Sequence, residues 1–220
     1  MNLEEYKQQM EEDDFSPGWD AIDASFSEVY GTQEPAHFGT NMVARAIFGG
    51  DEYIDGYSIY TSDKGYKHIV TFGLSELYGN EEAFGGEYSK WGYELTIKLP
   101  EEDNEECMWA IDMLSNLARY TNQSKAWFNP FDYVAGNGES IRIGYPSKIT
   151  ALIIIPDTEI HGKQTVHGRL DFMQVAGITE NELQAIKGKS LEEREAFVRK
   201  MQKDNPELIT DMKREKEYLE

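Results

Sequence analysis

From Ile149 to Ile155 the chain reads ITALIII, with no charge in the run, and stops at Pro156. A continuous apolar stretch of strand length reads as a central strand covered on both faces. Such a strand needs neighbours in a sheet and layers packed above and below it.

Other segments supply both. Tyr57–Tyr60 and Lys67–Phe72, joined by the polar stretch Thr61–Gly65, form a hairpin signal entered through the Asp55-Gly56 turn. Gly92–Leu99 alternates, with Tyr93, Leu95, Ile97 and Leu99 on one face and Glu94, Thr96 and Lys98 on the other. That pattern predicts one buried face and one exposed or partly covered face. Leu170–Ile178 reads as a further strand.

Ser16-Pro17 opens a helix by the usual rule, with a hydroxyl cap and a proline in the first turn. Trp19, Ile22, Phe26 and Val29 recur along it, and Gly31 closes it. Glu105–Gln123 carries an apolar stripe of Met108, Ile111, Leu114, Leu117 and Ala118. Thr179 with Glu182, and Ser190 with Glu193, are capping boxes that predict helices over 180–187 and 191–203. Residues 1–14 read as a weaker, frayed helix. The expected fold class is α/β (α+β): a single domain over 16–220 with a mixed β-sheet flanked by helices, preceded by an acidic extension over 1–15.

The formal charge is −20, from 41 acidic and 21 basic residues. All of it lies in residues 1–186, because 187–220 hold nine of each sign. Such a surplus argues against binding a phosphate backbone or an anionic membrane, where cations supply the affinity. Two blocks concentrate it, at 1–14 and 81–106, either as solvated faces or as a lure for a basic partner. Cys107 is the single cysteine, so no internal disulfide framework exists and a reducing, cytoplasmic setting is expected. The start MNLEEYKQQMEEDD lacks the features of a signal peptide.

Few residues are spaced for chemistry. No glycine-rich stretch has the context of a P-loop or dinucleotide fingerprint, and the four histidines show no metal-ligand spacing. His161 and His167 read as a loop rim. Glu34 and His37 read as a fastening loop. Cys107, at a helix start where the dipole would favour a thiolate, reads as a lone, partly buried cysteine. No catalytic residue, cofactor or metal is therefore expected. Aromatic clusters at Tyr88, Trp91 and Tyr93, and at Trp127, Phe128, Phe131 and Tyr133, are core by default, with a binding rim as the alternative.

Eight segments taken in order carry more information than any single motif. They are Gly18–Asp23, Tyr30–His37, Asp55–Tyr60, Thr71–Tyr78, Trp91–Thr96, Leu117–Tyr120, Phe172–Thr179 and Leu208–Met212. Together they resemble the Suppressor of fused family over roughly residues 18–212. The resemblance implies a domain like the amino-terminal domain of the eukaryotic proteins, which bind and restrain zinc-finger transcription factors. It also implies no enzymatic activity. The chain looks like the short bacterial members, some of which are placed in toxin systems as immunity proteins.

In the eukaryotic members a tyrosine of the Leu-Ser-x-Leu-Tyr segment and a nearby acidic residue contribute to peptide recognition. By resemblance the tyrosine is Tyr78, and the acidic position falls at Gly86 or Glu87. The expected partner-binding set is Tyr78, Glu87, Tyr88, Trp91 and Tyr93. The expected function is a non-enzymatic antitoxin that masks a protein partner, a basic toxin domain being the candidate. The alternatives are an adaptor that captures a peptide by strand addition at an exposed sheet edge near Leu74–Tyr78, and an enzyme with a cryptic thiol or histidine site.

Overall fold

The computed structural model describes residues 1–12, 14–40 and 54–219. Among these, eight strands form one mixed sheet in the order β1-β2-β3-β4-β8-β6-β5, with β7 beside β8. The strands are β1 (Ala36–Gly39), β2 (Gly56–Ser62), β3 (Tyr66–Phe72), β4 (Tyr88–Leu99), β5 (Tyr133–Ala135), β6 (Ile149–Pro156), β7 (Lys163–Thr165) and β8 (Gly168–Thr179). The helices are α1 (Leu3–Gln9), α2 (Pro17–Tyr30), α3 (Met108–Ser124), α4 (Glu180–Ile186) and α5 (Leu191–Asp204). This is the mixed sheet flanked by helices that the sequence predicts.

The ITALIII run is β6, an interior strand paired with β5 on one side and β8 on the other. Its side chains alternate between two cores. Leu152 and Ile154 join the cluster under α3. Ile153 and Ile155 join the one under α4 and α5. The hairpin is β2–β3, with Ile59 opposite Ile69. The single parallel pairing is β4 with β8, in the middle of the sheet.

Several local expectations change. The second face of β4 is not exposed, since Glu94, Thr96 and Lys98 are fully buried. On that side α2 packs Ile22 and Phe26 against Tyr60, Val70, Phe72 and Phe172. Residues 205–218 also cross the molecule there, with the Thr210 N–H donating to the Lys98 carbonyl. Ser16 makes no side-chain cap, although Pro17 does open α2. Val29 and Met108 are exposed and drop out of their stripes. The stretch 73–78 is an irregular loop leaving β3, so no strand edge forms at Leu74–Tyr78.

Both predicted capping boxes are present. A third, from Asn2 and Glu5, opens α1. The first residues are thus a capped helix rather than a frayed one, seated by fully buried Tyr6.

Candidate functional site

The loop after β3 is built around a buried carboxylate. Glu94 accepts hydrogen bonds from the Gly73 and Ser75 N–H groups (2.9 and 2.8 Å), from the Leu74 N–H (3.3 Å), and from the Ser75 and Thr71 hydroxyls (2.6 and 2.7 Å). Burial pushes its carboxyl upward, against the pull of these donors. From the other side the Gly18 N–H donates to the Leu77 carbonyl, and the Trp91 N–H to the Leu74 carbonyl, both at 3.0 Å. Tyr78 is carried outward on this pinned loop, 49% exposed.

The start of β4 is irregular for a reason legible in its backbone. Lys90 and Gly92 both have positive φ (54° and 76°), so the strand cannot stay pleated there. Tyr88 pairs with Arg169, yet Tyr93 already pairs with Asp171. The surplus residues bulge. A Cβ on Gly92 would lie 3.0 Å from the Tyr88 ring, so the bulge also needs glycine for space.

The bulge opens a cleft of about 490 Å³ between the entry to β4 and β8. Tyr88, Trp91, Trp127 and Phe128 form its aromatic wall, and His161, Arg169 and Asp171 its polar one. Tyr88 and Trp127 meet edge-on with centroids 5.1 Å apart, and Trp91 meets Trp127 at 6.2 Å. The end of α3 fixes the wall. Asn122 Oδ1 accepts from the Trp91 indole N–H (2.9 Å), and the Tyr93 hydroxyl lies 3.1 Å from Thr121 Oγ1. Tyr88 and Trp127 remain 44% and 42% exposed. The Arg169–Asp171 pair at the rim is solvated and contributes little to stability.

Tyr88, Trp91 and Tyr93 are therefore brought together in one cleft. Tyr93 is buried in it as a support, leaving Tyr88 and Trp91 toward solvent. Glu87 is exposed just before Tyr88, its carbonyl accepting from the Arg169 N–H. Neither Glu87 nor Tyr78 lines the cleft. Sequence reasoning missed Glu94, Arg169 and Asp171, which carry no local signature. Trp127 and Phe128 were visible only as one aromatic cluster among several.

A second polar assembly adjoins the cleft, sharing Asp157 with its lining. Tyr30 OH reaches His68 Nδ1 at 2.9 Å, and His68 Nε2 reaches Asp157 Oδ2 at 2.8 Å. Lys98 pairs with Glu159 at 2.9 Å, and Lys64 with Glu159 at 2.8 Å and Glu207 at 2.6 Å. Burial would raise the Asp157 carboxyl, but His68 and Lys98 overcome it and hold it well below the usual carboxylate range. Burial likewise acts on Glu159, which Lys64, Tyr66 and Lys98 pull down to about 2. His68, Asp157 and the Lys98 side chain are sealed from solvent, so this array holds β3, β4 and the end of β6 together.

The remaining chemical candidates are structural. Burial pushes the Cys107 thiol up to about 12, with Glu101 adding to the effect, so the thiolate suggested by the helix start is not favoured. His37 is tied to the Ser58 hydroxyl at 2.9 Å. His167 is fully buried rather than on a loop rim. Among the described residues no group of three or more His, Cys, Asp or Glu is placed to hold a metal, and no helix is long and apolar enough to cross a membrane.

Comparison with known proteins agrees with the resemblance. The human and mouse proteins described as Suppressor of fused homolog are each 28% identical over 214 residues, covering 90% of this chain. The chain spans 43% of the length of these curated relatives. A Sufu–Fu complex crystal structure matches with TM-score 0.77 and 25% identity, over 92% of this chain and 93% of that one. Drosophila Suppressor of Fused matches with TM-score 0.78 and 25% identity, over 92% of this chain and 51% of that one. A homologue from Neisseria gonorrhoeae shares the fold at TM-score 0.60 and 15% identity, covering 90% of this chain and 94% of that one. Residues 50–215 match the family described as Suppressor of fused protein (SUFU), and the chain belongs to that family.

Proposed function

We propose that this protein is a non-catalytic inhibitor that binds another protein, acting as a cytoplasmic immunity protein that masks a basic partner toxin. The observation that carries this reading is the aromatic cleft. Tyr88 and Trp127 stand half exposed and rigidly backed, as interface anchors do. The surplus of −20 suits a cationic partner, speeding encounter while the aromatic contacts set the lifetime of the complex. The relative solved as a Sufu–Fu complex supports a protein as the partner. The sealing of His68 and Asp157 and the raised Cys107 thiol support a non-enzymatic role.

Co-expression with the toxin-like product of a neighbouring gene tests this reading. Rescue of growth by the wild-type chain, lost in Trp127→Ala, is expected. Undiminished toxicity in the presence of the folded wild-type chain would remove the immunity role.

A further inference from the structure

The helix α1 touches the rest of the protein through one deep anchor. Tyr6 is its buried residue, and a seven-residue helix is not stable in water without such a contact. The Tyr6 ring lies between Phe15 and Phe84, with centroids at 5.4 and 4.8 Å. Its hydroxyl sits in a directional chain. The Asn80 N–H donates to it at 2.7 Å, and it lies 2.6 Å from His167 Nε2. On the far side of the imidazole, Nδ1 lies 3.2 Å from the Glu76 carbonyl oxygen. A carbonyl only accepts, so Nδ1 carries the proton and neutral Nε2 accepts from Tyr6.

This anchor lies against the loop that presents Tyr78. Lys7 pairs with Glu81 at 2.7 Å. Met10 and Phe15 crowd Gly79, where an added Cβ would fall 2.8 Å from the Met10 side chain. The His167 carbonyl closes on Gly86, beside Glu87.

We propose that α1 is a displaceable latch over this surface, seated while His167 is neutral and released when the imidazole gains a second proton. A proton on Nε2 would face the Tyr6 hydroxyl as a second donor. The phenol would then have to turn to the Asn80 carbonyl, 3.3 Å away. The groups facing the ring are Tyr6 from α1 and Glu76 from the loop, while Lys7 and Glu81 are occupied with each other. Burial lowers the proton affinity of His167, and Glu76 only partly restores it. The sign follows. The undocked imidazole binds the proton more tightly, so docking is at full strength above about pH 6.5 and weakens as pH falls below that value. The consequence for partner binding rests on Tyr78 belonging to the partner surface, as the family resemblance implies, but the latch is measured without any partner.

The test is hydrogen–deuterium exchange on the full chain, with exchange expressed as protection factors. Protection of residues 3–9 is expected to fall by up to about tenfold per pH unit below about 6.5, while β6 and β8 keep theirs. His167→Gln keeps an acceptor that does not titrate, and its α1 protection should not vary with pH. Flat protection in the wild type, or an equal fall in His167→Gln, would overturn the latch. Nuclear magnetic resonance titration of His167 provides a second measurement. Tyr6→Ala, which removes the ring that covers His167 and unseats α1, should raise the imidazole pKa toward its ordinary value, and an unchanged pKa would equally overturn the proposal.

Discussion

The carboxylate of Glu94 lies 2.6 Å from the hydroxyl of Ser75 and 2.8 Å from its backbone N–H. One side chain in the middle of the sheet thereby sets the path of the loop that carries Tyr78. Removing it by Glu94→Ala leaves buried donors at Gly73 and Ser75 without an acceptor, a loss of about 3 kcal/mol or more. The urea midpoint of unfolding measures this, and a variant as stable as the wild type would show the cradle to be dispensable.

Acid stability follows from the lysine-centred cluster. Glu159 titrates at about 2 instead of 4.5. A carboxylate depressed in the folded state contributes stability that is complete above about 4.5 and is lost as pH falls toward 2. Glu159→Gln should therefore flatten the acid limb of stability against pH, removing at most about 3 kcal/mol of its amplitude. Chemical denaturation at a series of pH values reads the slope directly.

The bulge in β4 makes Gly92 an exacting position. Gly92→Ala places a methyl 3.0 Å from Tyr88 at a φ of +76°, and should cost about 1–2 kcal/mol. Tryptophan emission from Trp91 and Trp127 should shift with it, because Tyr88 and Trp127 pack edge to face. Unchanged stability and emission would mean that the bulge relaxes freely.

Tyr78 and Glu87 stand outside the cleft, both exposed. Tyr78→Ala and Glu87→Lys should each weaken partner binding at least severalfold while leaving the thermal midpoint within about 2 °C of wild type. Calorimetric titration against the partner distinguishes this surface from the cleft.

The sheet and its helices were legible because period and punctuation are local. The ITALIII run before Pro156, the Tyr93–Leu99 alternation and the boxes at Thr179 and Ser190 each mark an element within a few residues. The burial of Glu94, Thr96 and Lys98 was not legible, because their cover and partners come from distant segments. Thr71–Ser75, Asp157–Glu159 and Glu207–Thr210 converge on them only in the folded chain. Tyr6 shows the same limit. In an acidic stretch it gives no periodic signal, yet it seats α1 through residues as far along the chain as His167. The cleft was half legible, as the pair of aromatic clusters at 88–93 and 127–128. Their meeting required a bulge that no residue pattern announces.

The central claim is that the aromatic cleft of an acidic protein binds a basic protein. Its most direct test is affinity capture from a native lysate, with the wild-type chain and Trp127→Ala side by side, at low and at moderate salt. The expected result is one stoichiometric basic protein, held by the wild type at low salt, progressively released as salt rises, and retained poorly by Trp127→Ala. Identical capture by both chains at both salt concentrations would contradict the account.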